Sequence, residues 1–220
     1  MYQFKTGLVI LLAMLSFLLS GCNEKPQNKE SQFTQKVSES LYQNHYFDFT
    51  VQLPEGWYAQ QYDEAKQLTD RGGEMMAGDD KELKAVIDAA EAVSVNLFGF
   101  FEHPVGAAVP FNPSVLAMAE NVKAIPGIKR GTDYFYHAKK LMERGAIKYT
   151  FAENYSTRKI GDVEFDQMSA TAMLGNMQIQ QDYYTAIYKG YAIIFIQTYK
   201  DNPGKDKTST VLNSIETTWE

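Results

Sequence analysis

Three histidines, His45, His103 and His137, are the obvious candidates for metal or acid–base chemistry, and each stands alone in the chain. A zinc centre needs several nitrogen or sulfur ligands at characteristic spacing, and none of the three has such a partner nearby. His103 has Glu102 beside it, but neighbours along a strand project to opposite faces, so the two are expected not to meet. The acidic pair Asp79-Asp80 stands where a helix is expected to begin and is accounted for by capping and the helix dipole. Asp162, Glu164 and Asp166, with Met168, would share one face of a strand, which suits either a cation site or a solvated sheet edge. Arg71-Gly72-Gly73 is too short to cradle a phosphate, and the nucleophile elbow, the metalloprotease helix motif and the calcium-loop spacing are all missing. No nucleophile, base and orienting group can be named together, so neither catalysis nor a cofactor or metal is expected.

Tyrosine is abundant instead, at 14 residues. Tyr134, Phe135, Tyr136, Tyr183, Tyr184, Tyr188, Tyr191 and Tyr199 cluster in the second half of the chain. Tyrosine suits places where one end is apolar and the other wet, and it is common at interfaces. Tyr134, Tyr136, Tyr183 and Tyr184 therefore form a candidate partner-binding face, the alternative being rings packed between sheet and helices. A second candidate is a pocket for a small molecule or metal ion between the sheet and a helix over residues 79–91.

The N-terminus is organised differently. Lys5 precedes an apolar run from Gly7 to Leu19, and Ser20 and Gly21 lead into Cys22, the only cysteine of the chain. This is the layout of a cleaved secretory signal, and the run is shorter than the roughly 20 residues that span a bilayer. Small residues followed by cysteine resemble the bacterial lipobox. That resemblance implies cleavage between Gly21 and Cys22 and acylation of the Cys22 thiol, with two or more acyl chains making a stable anchor. Asn23 follows the cysteine. In the sorting logic of Gram-negative lipoproteins the absence of aspartate there implies the outer membrane, on the side facing the periplasm.

Residues 1–21 are thus read as a signal, 22–44 as the lipidated cysteine and a tether, and 45–220 as one folded domain. The tether is rich in Gln, Lys, Glu, Ser and Asn and buries little, and a coil of about 22 residues spans roughly 25 Å. Phe33, Val37 and Leu41 leave room for a short docking helix within it. The chain carries 27 acidic against 21 basic residues, a formal net charge of −6. Nucleic acid is therefore not an expected partner, since such binding depends on neutralising phosphates. With Cys22 acylated, no disulfide is left to hold the domain, and stability must come from an apolar core.

Alternating Phe47, Phe49, Val51 and Leu53 predict an opening strand, ended by Pro54-Glu55-Gly56. A helical stretch follows over 62–91, weakened at Gly72-Gly73, with Asp79 and Glu82 at capping-box spacing ahead of Leu83, Val86, Ile87 and Ala90. Residues 92–101 read as a strand. Asn112-Pro113 followed by Val115, Met118, Ala119 and Val122 predicts a helix ended by Pro126-Gly127. Another helix is expected over 133–144. Four strands then follow over 147–155, 163–174, 177–188 and 191–199, with hairpins at Gly175-Asn176 and Lys189-Gly190. A last helix after Pro203-Gly204 is expected to carry Val211, Leu212, Ile215 and Trp219 on one face.

Taken together, Leu53-Pro54-Glu55-Gly56-Trp57, the long paired strands from Val163 to Tyr188, the strand after Gly190 and the terminal segment reaching Ile215 and Trp219 resemble the PsbP-like family, whose bacterial branch includes DcrB-type lipoproteins. The resemblance covers about residues 46–220. It implies an α+β fold, an α/β/α sandwich around a predominantly antiparallel sheet of about six strands. It also implies accessory or binding roles, as in a photosynthetic oxygen-evolving subunit and a Ran-binding factor, although no residue pattern here carries either activity over. The expected protein is a membrane-anchored, non-catalytic accessory protein of the bacterial envelope that binds an envelope partner, or else a small-molecule or metal-ion binder.

Overall fold

The computed structural model of the chain describes residues 35–36 and 40–219. The expected signal, Cys22 and most of the tether lie outside the described residues. The strands are β1 (Gln35–Lys36), β2 (Leu41–Asn44), β3 (Phe49–Gln52), β4 (Tyr58–Ala59), β5 (Ser94–Phe101), β6 (Ser114–Asn121), β7 (Lys148–Phe151), β8 (Ser156–Ile160), β9 (Val163–Leu174), β10 (Met177–Tyr188), β11 (Tyr191–Tyr199) and β12 (Glu216–Thr217). The helices are α1 (Tyr62–Ala77), α2 (Lys81–Ala92), α3 (Gly131–Arg144) and α4 (Asn202–Asn213). The fold is α+β.

Two sheets share the strands. The larger has eight, in the order β4-β5-β6-β11-β10-β9-β7, with β8 also paired to β9, and the smaller has four, β1-β2-β3-β12. Every ladder is antiparallel. The large sheet has more strands than the six or so expected because β6 lies in the stretch expected to be a helix, and β4 and β8 are short edge strands with weak alternation. A second sheet was not foreseen, since β1 and β2 both lie within the stretch expected to be tether, and Tyr42 and Asn44 of β2 are buried.

Long central strands alternate between two buried faces. On one face Ile193 and Phe195 of β11, with Phe165 and Tyr184, pack against Phe49 and Val51 of the small sheet, Phe47 of the turn before β3, and Val211 and Leu212 of α4. Phe49 meets Phe195 edge to face at 5.7 Å. On the other face Ala192 and Ile194 pack with Val122, Ile128 and Tyr134, while Met168 packs with Phe135 and Met142 of α3. Helices therefore cover both sides of the large sheet, which the sequence reading anticipated.

Both predicted hairpins are present. Gly175 has φ +60°, as the first position of a type II′ turn requires, and Lys189 and Gly190 both have positive φ, as in type I′. Residues 114–121 form β6 rather than a helix. Val115, Ala117 and Ala119 are its buried face, and alanine is too small to mark that alternation against the competing helical spacing. The apparent cap Asn112 instead closes the loop from β5, accepting from the His103 backbone N–H at 2.9 Å and donating to its carbonyl at 2.7 Å. Helix α1 continues through Gly72-Gly73 and stops at Gly78. The cap of α2 is Asp80, whose carboxylate accepts from Leu83 N–H at 2.9 Å, and not Asp79. Helix α4 ends at Asn213. Ile215 and Trp219 lie beyond it, flanking β12, where the Trp219 ring stacks on Tyr188 at 4.4 Å and its indole N–H donates to the Phe47 carbonyl.

Candidate functional site

The four tyrosines expected to form one face are dispersed. Tyr183 and Tyr184 are consecutive in β10 and so point to opposite sides of the sheet. Tyr184 is 1% exposed and donates to Gln197 Oε1 at 2.9 Å, which removes it from any surface. Tyr183 is half-buried against α3, donating to Gln181 Oε1 at 2.8 Å, and burial holds its phenol well above the usual range. Tyr134 is likewise half-buried, with its hydroxyl on Glu120 at 2.6 Å. Tyr136 alone of the four is exposed, and Lys140 lies over its ring. Strand pleating and helix packing thus separate residues that sequence proximity had grouped.

The candidates for acid–base or metal chemistry are also scattered. His45 lies in the turn after β2, His103 in the bend after β5, and His137 on α3 with its ring against the edge of Tyr136. His103 and Glu102 do approach, at 4.0 Å, because both lie past the end of β5 where strand alternation no longer applies. Glu102 also pairs with Lys207. In the acidic run, Asp166 receives Arg130 at 2.9 Å and the Thr132 backbone N–H at 3.0 Å, so it fixes the start of α3 against β9. Glu164 and Asp162 are exposed. Among the described residues no group of three His, Cys, Asp or Glu side chains is placed to hold a metal ion.

What the fold does build is a cavity of about 650 Å³ between α1 and the large sheet. Its floor is the sheet face carrying Leu116 and Met118 of β6, Ile196 of β11 and Tyr149 of β7. Its roof is α1, which presents Ala65, Leu68, Thr69, Gly72, Gly73 and Met76 at helical i, i+3, i+4, i+7, i+8 and i+11 spacing. Leu141 of α3 and Ile147 close the far end, and Ile87 and Glu91 of α2 contribute to the wall. The expected pocket between sheet and residues 79–91 coincides with this cavity in part: α2 supplies Ile87 and Glu91, α1 supplies most of the helical lining, both helices contact β5, and α1 packs on α2. Gly73 makes that packing close, since a Cβ there would stand 2.8 Å from Glu91 Oε1 and 3.1 Å from Ile87 Cγ2.

Volume and lining both fit a small-molecule site, since such pockets run to roughly 300–1,000 Å³ and are mostly apolar with a few convergent polar groups. Methionines 76 and 118 add side chains that adapt their shape to what they touch. The polar groups are few. Asn96 of β5 donates to Thr69 of α1 at 3.1 Å, tying roof to floor. Burial, and then the neighbouring Asp70 and Asp88, push the Glu91 carboxyl above the usual carboxylate range. The amide nitrogen of Gln60 is buried and has no hydrogen-bond partner among the described residues. The sequence signal for this site was the stripe of small and apolar residues along 65–76. It was obscured because the paired glycines were read as an interruption.

Compared with known proteins, the sequence matches no protein-family model and no curated protein. Among solved structures the chain is similar to cyanobacterial PsbP (CyanoP) from Synechocystis, at 12% identity and TM-score 0.49, over 81% of this chain and 93% of that one. It is similar to a Bacteroides thetaiotaomicron protein at 13% identity and TM-score 0.39, over 78% of this chain and 46% of that one. It is also similar to LpqN of Mycobacterium tuberculosis, described as involved in cell envelope biogenesis, at 9% identity and TM-score 0.42, over 77% of this chain and 83% of that one.

Proposed function

We propose that the chain is a lipid-anchored protein of the bacterial envelope that acts by binding rather than by catalysis, and that its binding site is the cavity beneath α1. The anchor rests on the Leu19-Ser20-Gly21-Cys22 sequence. The binding role rests on one observation, a preformed and largely apolar cavity of about 650 Å³ beneath α1. A protein partner reached through the tyrosines draws less support, because only Tyr136 of the four is exposed.

Filling the cavity from its floor tests the assignment. Leu116→Trp places an indole where the ligand would sit. It is expected to weaken binding of a fluorescent apolar probe by more than about tenfold, since a pocket discriminates strongly on steric fit. The urea midpoint should not fall, because added apolar contact offsets the strain of repacking. Unchanged probe binding in a folded Leu116→Trp protein would place the site elsewhere.

A further inference from the structure

Among the described residues that line the cavity beneath α1, Glu91 alone is charged, and no lysine or arginine joins it. Glu91 follows Ile87 by one turn of α2, so the two share the side that faces α1. Its carboxylate lies against Gly73 of the roof, where an added Cβ would stand 2.8 Å from Oε1. Glycine inside a helix costs about 1 kcal/mol relative to alanine, and here it leaves room for that carboxylate. Lys66 and Lys84 are near, but each is engaged by a carboxylate one turn further on, Lys66 by Asp70 at 2.9 Å and Lys84 by Asp88. Glu91 itself makes no hydrogen bond or ion pair among the described residues. It is half-buried rather than sealed, and neither carboxylate oxygen is shut off. The charged groups acting on it are Asp70 and Asp88 against Lys66 and Lys84, so with Glu91 included the balance at this wall is negative.

We infer that the cavity takes an organic cation, an apolar body carrying one ammonium group, and that the Glu91 carboxylate pairs with that group. This rests on the cavity being the binding site. The apolar body matches Leu68 of the roof and Leu116, Met118 and Ile196 of the floor. A neutral ligand would cover the Glu91 carboxylate without replacing the water it loses, and an anionic one would add a second uncompensated charge, both of which are costly. A metal ion fits poorly, because hard cations take about six or more oxygen ligands. Among the described residues no group of three acidic, histidine or cysteine side chains is placed to supply them.

The test compares decylamine, decanol and decanoate, below the concentrations at which they form micelles, as competitors of a neutral fluorescent probe on the purified full-length protein. At neutral pH decylammonium is expected to bind about tenfold more tightly than decanol, the scale of one charge-assisted hydrogen bond, and decanoate more weakly than decanol. Glu91→Gln keeps the shape and cannot ionise. It should bring decylammonium down to the level of decanol while leaving decanol within about twofold. In wild type the same preference should shrink as pH falls from about 7 to about 4, because Glu91 gains a proton while the amine keeps its own. A preference that survives in Glu91→Gln, or stays constant over that pH range, would overturn the pairing, as would decanoate binding most tightly. Equal binding of amine and alcohol to wild type would overturn the ammonium assignment and leave the cavity standing, whereas failure of all three to displace the probe would overturn the cavity reading itself.

Discussion

Glu120 illustrates how burial turns one carboxylate into a measurable feature. It sits half-buried on β6, and burial holds its carboxyl above the usual range, with the Tyr134 hydrogen bond and the charge of His137 pulling the other way. A carboxyl raised in the folded state is bound to its proton more firmly there than in the unfolded chain. Its stabilising contribution is therefore present at low pH and is lost as pH rises through its folded titration. Glu120→Gln keeps an acceptor for Tyr134 and cannot ionise. Its urea midpoint should gain on wild type as pH is raised from about 4 to about 7. A constant gap across that range would show that Glu120 titrates as an ordinary surface carboxylate. None of this was readable beforehand, because Glu120 fell in a stretch assigned to a helix, where it would have been one more polar-face residue.

At the scale of elements, the close seating of α3 on the large sheet depends on its first residue. A Cβ at Gly131 would stand 2.3 Å from the Thr185 carbonyl oxygen of β10 and 2.9 Å from Asp166 Cβ of β9. Backbone cannot yield as a flexible side chain does, so Gly131→Ala should cost about 1–3 kcal/mol, seen as a lower urea midpoint at unchanged m-value. An effect within error would mean that α3 can lift without loss. Which elements were legible follows from how strongly each pattern excludes its rival. Strands β9, β10 and β11 are long, alternate through bulky residues and are joined by two-residue turns, so no helix fits them. Strand β6 alternates Val115, Ala117 and Ala119, too shallow a contrast to defeat the helical spacing of Val115, Met118, Ala119 and Val122. Strand β12 is two residues long and exists only because β3 offers it an edge.

For the molecule as a whole, the proposal joins an anchor outside the described residues to a domain with a cavity. Mass spectrometry of native protein should find residues 1–21 absent and Cys22 bearing lipid, and a bare Cys22 or an intact N-terminus would remove the anchor from the account. The sequence by itself determined the acidic balance and the hairpin-rich second half, because the first is composition and the second depends on residues close together in the chain. Only the tertiary structure decided the rest. It separated Tyr183 from Tyr184, drew β2 and β12 into a second sheet, and brought residues of α1 and α2 together with β5, β6 and β11 around one cavity. A cavity is the space left between elements distant in sequence, and no local pattern encodes that distance.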